Sequence, residues 1–394
     1  MRPATLGHPQ HGKHIVGLDA IRFLAAMFVL LHHLGFAIWA GPGGIASITY
    51  RWPESWGWFG WVGVEVFFTL SGFVIAYSAE SASSFFFFKS RFVRLIPGTI
   101  VCSTLTACVL WMSGSEHGQL LLRAWARAAI IYVHGPWIDG AYWTLPIEVS
   151  FYGWIFFLIL GGWKRRIPVV IGTMGLCSSA AWVLITAAAH LPLSAAGMHM
   201  IVHLHYLLAH NWAIFLTLLT HGCFFAEGVF LYLCLMKAVT RRRIAILLLC
   251  SIGAYIEICD HARTIVFHWA RVRVPYHPAV PCIVWTISVV LIVVSVRVNA
   301  SLVLVLKRHV LWFRWAGLMT YPLYLINMEI GYVLIANLRR YLPDTISMLI
   351  ASALLLGLAY AIARFPEPWL QRIFKRIFSH IGGWSERRKL AVAG

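Results

Sequence analysis

An apolar run near the start of the chain, residues 17–36, reads GLDAIRFLAAMFVLLHHLGF. This run is long enough to cross a bilayer as an α-helix, which needs about 20 predominantly apolar residues. Similar runs recur along the chain, because 60% of its 394 residues are hydrophobic and only 12% are charged. Soluble domains carry about 25% charged residues. The composition therefore predicts a polytopic membrane protein.

The apolar runs are separated by basic or polar segments. They predict ten spans at about 15–40, 57–79, 98–113, 142–163, 167–189, 212–238, 243–260, 278–298, 312–338 and 345–363. Runs this long argue against barrel strands, so we expect an all-α polytopic membrane bundle of about ten transmembrane helices. The stretch 119–134 is ambiguous. Its arginines, Arg123 and Arg127, share one face and predict an interfacial helix.

The net charge is +18, from 32 Lys and Arg against 14 Asp and Glu. In a membrane protein these basic residues set orientation, so we do not expect a nucleic-acid partner. With the N-terminus inside, 22 of the 32 fall in cytoplasmic segments and 8 in external loops. This bias predicts that both termini are cytoplasmic.

The chain shows no evident internal repeat, and its first apolar run lacks the features of a cleavable signal. We expect a cytoplasmic tail at 1–14, one membrane domain at 15–363 and a basic cytoplasmic tail at 364–394, too short for a second folded domain. The eight cysteines show no CxxC or Cys/His ligand spacing, so neither a disulfide framework nor a metal site is expected.

Ionisable residues inside the spans need an explanation, because each costs roughly 2.5–3.5 kcal/mol at the bilayer centre. In the first span Arg22 and His33 are eleven positions apart and therefore share a helix face, whereas His32 lies about 80° away. Asp19 can pair with Arg22 at i, i+3. These residues predict a polar face lining a cavity, although a snorkelling arginine with interfacial histidines is the alternative.

The second span carries Glu65, with Thr69 and Gly72 on the same helix face. Ser71 lies in a Ser-Gly pair, but it points about 120° away from Glu65 and has no base on its own face. We therefore expect Ser71 to serve helix packing rather than nucleophilic chemistry.

The segment before the third span, SSFFFFKSRFVRLIPG, combines a run of four phenylalanines at 85–88 with Arg91 and Arg94 at i, i+3. This pattern predicts an amphipathic stretch at the membrane surface. Two interpretations remain open. The arginines anchor the chain to lipid headgroups, or their guanidinium groups bind the phosphates of a ligand.

Two further spans carry polar stripes on apolar helices. In the fourth span the stripe at i, i+4 and i+8 consists of Thr144, Glu148 and Tyr152, next to Pro146. In the ninth span the polar face consists of Thr320, Tyr324, Asn327 and Gly331, next to Pro322. Buried carboxylates and proline-loosened helices predict functional sites in both places.

Two histidine groups lie outside the predicted spans. His199, His203 and His205 resemble a ligand set, but no carboxylate accompanies them in sequence, so a metal site is not expected. The loop 261–277 is basic against the orientation rule. It predicts contact with an anionic partner or with lipid headgroups.

Several stretches together resemble the acyltransferase-3 family of integral membrane O-acyltransferases. They occur in the family's order and run along most of the chain: LDAIRFLAAMFVLLHH (18–33), GVEVFFTLSGFVI (63–75), RFVRLIP (91–97), YWTLPIEVSFY (142–152), TYPLYLIN (320–327) and FPEP (365–368). The resemblance implies a ten-span bundle in a bacterial-type cytoplasmic (inner) membrane. It also implies transfer of an acyl group, usually acetyl from cytoplasmic acetyl-CoA as co-substrate, to a hydroxyl of an envelope polysaccharide, lipid-linked sugar or similar acceptor.

The family's motifs also imply site residues. Its first-span arginine and histidine fall on Arg22 and His33, its basic pair on Arg91 and Arg94, and its fourth-span carboxylate on Glu148. Glu65 stands where many relatives have Asp, and Asn327 where many have His. No esterase-like domain is expected after the bundle. We expect His33 to act as base or nucleophile, with supporting roles for Asp19, Glu65, Thr144, Tyr152, Tyr324 and Asn327.

The resemblance implies that the arginines bind the donor and that Glu148 orients the acceptor hydroxyl or His33. A membrane transporter or lipid flippase is the rival class, because transporters also place charges inside spans. That class predicts internal repeats, which the sequence does not show. A membrane sensor or scaffold explains none of the buried charges.

Overall fold

The computed structural model describes residues 15–41, 45, 47–48, 57–265, 277–307 and 309–392, with side chains up to residue 380. Every regular element within these ranges is helical. The helices, in chain order, are α1 Val16–Ala40, α2 Gly60–Ala79, α3 Ser84–Ser113, α4 Gly118–Ala129, α5 Gly140–Leu160, α6 Lys164–Ala188, α7 Ala195–His210, α8 Trp212–Leu216, α9 Gly222–Met236, α10 Arg241–Thr264, α11 Ala279–Arg297, α12 Asn299–Val305, α13 Val310–Ile326, α14 Glu329–Leu338, α15 Asp344–Arg364 and α16 Pro366–Val392.

The architecture confirms the predicted all-α polytopic membrane bundle. Across the described ranges, eight helical segments are long and apolar enough to cross a membrane. The pair α13 and α14 makes a ninth if it counts as one bent span, and α9 is apolar but only 15 residues long. The ten predicted spans therefore correspond to eight long segments, one bent pair and one short helix.

The third predicted span begins too late. The arginine-bearing stretch before residue 98 and the span itself form one continuous helix of 30 residues, α3. Ser83 caps its start by accepting a hydrogen bond from the amide of Phe86 at 3.3 Å. Pro97 lies inside the helix without ending it, as prolines in membrane helices often do. Arg91 and Arg94 therefore lie on the same continuous helix as the span rather than on a separate segment.

The sixth predicted span, 212–238, is interrupted. The short helix α8 ends at Leu216, and α9 begins only at Gly222. Between them Leu218 has a positive φ of 62°, which no α-helix accommodates. The break leaves backbone groups without partners in a helix, and side chains bind them instead. The carbonyl of Thr220 accepts hydrogen bonds from Ser178 and Trp182.

The ninth predicted span bends by 75° between α13 and α14. The bend follows Asn327, five residues after Pro322, so the bend is not located at the proline. Side chains supply the missing hydrogen bonds: the amide of Asn327 donates to the carbonyl of Tyr324 at 2.9 Å, and Asp139 accepts from the backbone of Glu329 at 3.0 Å. This broken backbone lies in the protein interior, where it is tolerated.

The helices alternate in direction through the bundle. We call the end that holds the start of α3, the 164–166 turn and the start of α10 the basic end, and the opposite end the distal end. At the basic end Lys237, after α9, pairs with Glu80, after α2. This hydrogen bond holds the pKa of the Glu80 carboxyl below its ordinary value. The alternation places the start of α1 and the end of α15 at the basic end.

Two glycines allow the backbones of α2 and α9 to cross at short distance. A Cβ atom on Gly72 of α2 would lie 2.2 Å from the carbonyl oxygen of Phe225, and one on Gly228 of α9 would lie 2.0 Å from that of Thr69. The backbones of α2 and α9 are therefore in direct contact, as small residues allow in membrane bundles. This contact fixes the position of Ser71, which neighbours Gly72.

The segment after residue 364 continues as α16, which packs on the first turns of α3. Its aromatic rings interleave with those of α3, and the ring of Phe92 lies 5.3 Å from those of Phe374 and Phe378. The predicted basic tail is thus a packed helix over its described side chains. The 1–14 segment lies outside the described residues, and the cytoplasmic location of both tails stays a prediction.

The stretch 119–134 is helical only as far as Ala129, and its location at the membrane interface stays a prediction. Helix α4 is short and amphipathic, and it is not among the long apolar segments. It runs back along α3, because the carbonyl of its last residue, Ala129, accepts a hydrogen bond from Thr99 at 3.2 Å. The chain between α4 and α5 therefore begins about halfway along α3.

Candidate active site

A cavity of about 110 Å³ lies between α1, α2, α3, α5 and α13. Its polar lining comes from five helices and consists of Arg22, Ser71, Arg91, Arg94, Thr144, Glu148, Tyr152, Thr320, Tyr321 and Tyr324. Most of the predicted site residues therefore meet in one place. The cavity is small for a whole ligand, but it is large enough for the reacting end of one.

Three arginines give the cavity a positive field. Arg22 pairs with Asp19, with 3.6 Å between Nη1 and Oδ1, as the i, i+3 spacing predicts. The guanidinium of Arg91 lies 5.8 Å from the ring centroid of Tyr152, and that of Arg94 lies 5.7 Å from that of Tyr321. Aromatic faces hold the guanidinium planes while leaving their N–H groups free to donate. Such a cluster suits a phosphate or another anion.

A carboxylate, Glu148, lies in the cavity wall with these arginines. Glu148 accepts hydrogen bonds at Oε1 from the hydroxyl of Ser71, at 3.0 Å, and from the hydroxyl of Tyr152. On its own helix face Ser71 has no such partner, which is why the sequence predicts a packing role for it. The carboxylate that accepts its hydrogen bond comes from α5, 77 positions away. Only the tertiary structure brings the pair together, so no local pattern could have found it.

The part of the cavity wall nearest the distal end also contains a hydrogen bond between side chains. Thr144 and Tyr324 share a hydrogen bond of 2.8 Å between their hydroxyl oxygens. Glu65, one turn before Phe68 on α2, does not line this cavity. It is 3% exposed, and its Oε2 atom has no hydrogen-bond partner within the described part of the chain. The structure therefore separates Glu65 from the arginine cluster.

His33 lies beside the cavity rather than in its wall. The α-helical turn ends at His32, and His33 begins a π-helical turn, His33–Ala37. The Nδ1 atom of His33 is hydrogen-bonded to the side chain of Asn327, three residues after Tyr324 of the cavity wall. Single π turns inside helices often occur at functional sites. Asn327, predicted as a supporting residue, thus contacts the histidine directly.

His32 has a different environment. Its Nδ1 donates a hydrogen bond to the carbonyl of Gly57 at 3.1 Å, and the side chain is buried against Phe36. The two histidine rings lie 5.7 Å apart and face different partners. The two histidines therefore differ in environment, and the choice of His33 as the reacting residue stays a prediction.

The other histidine groups do not form a ligand set. Among the residues that the structure describes, no group of three His, Cys, Asp or Glu side chains could hold a metal ion. His205 has a carboxylate partner that the sequence did not reveal, Asp260 of α10, at 3.0 Å. The predicted basic loop 261–277 is partly helical: His261 belongs to α10 and stacks on Trp61 at 4.2 Å. Residues 266–276 of that loop lie outside the described residues.

The helices that line the cavity all lie within a region that matches a known protein family. Residues 15–364 match the acyltransferase-3 family, whose description is "Acyltransferase domain". The match covers most of the chain, so the chain belongs to the acyltransferase-3 family.

Two curated relatives carry more specific names. The chain is 28% identical over 200 residues to YrhL of Bacillus subtilis, whose name assigns it to the peptidoglycan O-acetyltransferases. It is 30% identical over 204 residues to the peptidoglycan O-acetyltransferase OatA of Listeria monocytogenes. The matched regions cover 43% and 44% of this chain, but only 28% and 29% of the relatives. No solved structure matches the chain.

Proposed function

We propose that this membrane O-acyltransferase moves an acetyl group from acetyl-CoA to a hydroxyl of an envelope glycan or lipid-linked sugar. The arginine-lined cavity carries the proposal, because it combines an anion site with a hydrogen-bonded carboxylate inside the bundle. The names of the two relatives support an acetyl donor and a peptidoglycan-like acceptor.

The donor enters from the basic end, which faces the cytoplasm in this proposal. Arg91 and Arg94 lie near the start of α3, where they reach a phosphate group first. Arg22 lies in the same cavity and binds the thioester carbonyl oxygen or a further phosphate. The arginines thereby hold the donor with its acyl end pointing into the bundle.

Acyl transfer also needs a group that accepts the proton of the acceptor hydroxyl. In this proposal His33 is that base, or the nucleophile that first takes the acyl group. The hydrogen bond to Asn327 holds the imidazole ring of His33 close to Tyr324, which lines the cavity towards the distal end. Glu148 orients Ser71 and Tyr152 around the reacting carbonyl.

The direct test uses sealed inverted membrane vesicles that contain the protein. Acetyl-CoA labelled in its acetyl group is supplied outside, and label is sought in the envelope glycan. We expect incorporation with the wild-type chain and its loss with Arg22→Ala at equal expression. Incorporation that is equal in vesicles with and without the protein contradicts the proposal. Transport of the label as free acetyl-CoA, without covalent attachment, favours the transporter alternative.

A further inference from the structure

A second buried polar group lies on the other side of Phe68 from the arginine cavity. The Nδ1 atom of His221 is 2.5 Å from Oε1 of Glu257, and Cys223 donates to the second oxygen of that carboxylate at 3.3 Å. The His221 side chain is 8% exposed, and its Nε2 atom has no hydrogen-bond partner among the described residues. When the neutral ring donates from Nδ1 to the carboxylate, Nε2 carries a lone pair that can accept a hydrogen bond.

The depth of this group follows from its neighbours. Thr220, just before His221, accepts a hydrogen bond from Ser178 at 2.8 Å. Ser178 lies eleven residues, or roughly 16 Å, into its helix from Ile167 at the basic end. The hydrocarbon layer is about 30 Å thick, so the break between α8 and α9 lies near its middle. Non-helical backbone at this depth is tolerated where protein buries it or where it lines a water-filled cavity.

Aromatic rings connect this depth to the distal end. We call them the aromatic track: Trp137, Trp143, Trp212 and Phe215. The centroids of Trp137 and Trp212 are 5.1 Å apart, and those of Trp212 and Phe215 are 5.3 Å apart. The track ends at His221, whose ring lies 5.4 Å from that of Phe215 and 5.7 Å from that of Trp143.

The tryptophans of the track are not sealed in the core. All three are partly exposed. The indole N–H of Trp137 donates to the carbonyl of Tyr132 at 2.7 Å, whereas those of Trp143 and Trp212 form no hydrogen bond within the part of the chain that the structure describes. Partly exposed indole rings offer an apolar face together with a free donor, which is the combination that binding surfaces use. The C–H face of a pyranose ring packs on such a surface, and its hydroxyls need polar partners.

We propose that the aromatic track is the binding site for a sugar ring of the acceptor, and that Nε2 of His221 accepts a hydrogen bond from one of its hydroxyls. The sugar enters from the distal end and lies across Phe68 from the donor cavity. This proposal rests on the proposed function, because it identifies where the acceptor of that reaction binds. It adds a site on α8, the break before α9, the first turn of α5 and the loop before α5, away from the arginine cluster.

Direct binding of oligosaccharides of N-acetylglucosamine, two to six residues long, tests the proposal without acyl transfer. Titration calorimetry on the full-length protein in detergent measures Kd for wild type, Trp137→Ala and Trp212→Ala. We expect each variant to weaken binding about tenfold, as loss of a tryptophan contact in a binding site typically does. Trp111→Ala, at an exposed tryptophan outside the track, is the matched control and should bind as wild type does.

The histidine is tested separately. In His221→Asn the amide can still donate to Glu257 but has no atom at the position of Nε2. We expect a higher KM for the oligosaccharide and a KM for acetyl-CoA within twofold of wild type. Thermal stability is compared alongside, and His221→Gln, which restores a polar atom near that position, should recover part of the affinity.

The results distinguish this proposal from the proposed function. Wild-type protein that transfers acetyl groups but shows equal oligosaccharide Kd values in all four proteins overturns the sugar site alone. Failure of wild type to bind any of the oligosaccharides while it acetylates an envelope acceptor overturns it as well. Failure of acetyl transfer in vesicles overturns the proposed function and leaves the calorimetry as an independent test of the track.

Discussion

The two neighbouring histidines of α1 have different hydrogen-bond partners, although they are only one position apart along the helix. His33 is hydrogen-bonded to Asn327 next to the cavity wall, whereas His32 donates to a backbone carbonyl and is buried. The first arrangement occupies one ring nitrogen, Nδ1, with a side chain. The second is a structural hydrogen bond, which contributes about 0.5–1.5 kcal/mol to stability.

We therefore predict that His33→Ala abolishes acyl transfer while His32→Ala retains most of it. Loss of a general base lowers rates on the order of 10²–10⁴-fold, and loss of a nucleophile lowers them further. Transfer rates are measured in vesicles at matched expression, with thermal stability recorded for both variants. An inactive but stable His32→Ala protein with an active His33→Ala protein would show that the helical-face argument is wrong.

The arginine pair leads to a separate prediction about the donor. Arg91→Ala combined with Arg94→Ala should raise the KM for acetyl-CoA tenfold or more, because each lost hydrogen bond to a charged group is worth about 1.5–3 kcal/mol. Initial rates at varied donor concentration measure the effect. The acceptor KM serves as the internal control. An unchanged donor KM in well-expressed protein would assign both residues to lipid contact instead.

At the scale of the helical element, the crossing of α2 and α9 positions the site more tightly than any side-chain bond. Backbone atoms touch at Gly72 and Gly228, and Ser71 comes directly before the contact. A side chain at this crossing has no space to move into. The helices must then separate, and Ser71 must move relative to Glu148.

We predict that Gly228→Val destabilises the bundle by about 1–3 kcal/mol or more, the usual cost of overpacking a filled interface. The matched control is Gly357→Val on α15, where an added Cβ has no neighbour within 4 Å among the described residues. Thermal unfolding in detergent should show a lower Tm for the first variant only. Equal Tm values for the two proteins would contradict the close crossing.

The bundle also shows which elements local sequence can predict. Apolar runs placed the spans, and the i, i+3 rule paired Arg22 with Asp19. The same runs concealed the breaks before α9 and after α13, because hydropathy does not register a positive φ at Leu218 or a side chain that replaces a backbone bond. Element boundaries were therefore less predictable than element type.

At the scale of the whole molecule, the alternation of helices brings together partners that are far apart in sequence. Glu148 contacts Ser71, and Glu257 contacts His221 across 36 positions. Neither pair follows from a motif, because each depends on which helices become neighbours. The sequence therefore predicted the identities of most cavity residues, but not the hydrogen bonds that orient them.

The orientation of the molecule gives a further prediction. Reporter fusions at residues 10 and 390 should both score as cytoplasmic, because basic residues are concentrated in the segments that the ten-span arrangement places inside. A fusion within the turn at residues 164–166 provides a third point on the same side. A single terminus that scores as external would contradict an even number of spans.

The length of α3 links the donor site to the membrane itself. Its 30 residues extend about 45 Å, well beyond a hydrocarbon layer of about 30 Å, and its first turns carry Arg91 and Arg94. When a helix is longer than the hydrocarbon layer, the difference is called hydrophobic mismatch. Such a helix adapts to a change in bilayer thickness by tilting. We expect the KM for acetyl-CoA to pass through a minimum as lipid acyl chains are lengthened from 14 to 22 carbons in reconstituted liposomes. A KM independent of chain length would mean that α16, packed on those turns, holds the arginines at a fixed depth in every bilayer.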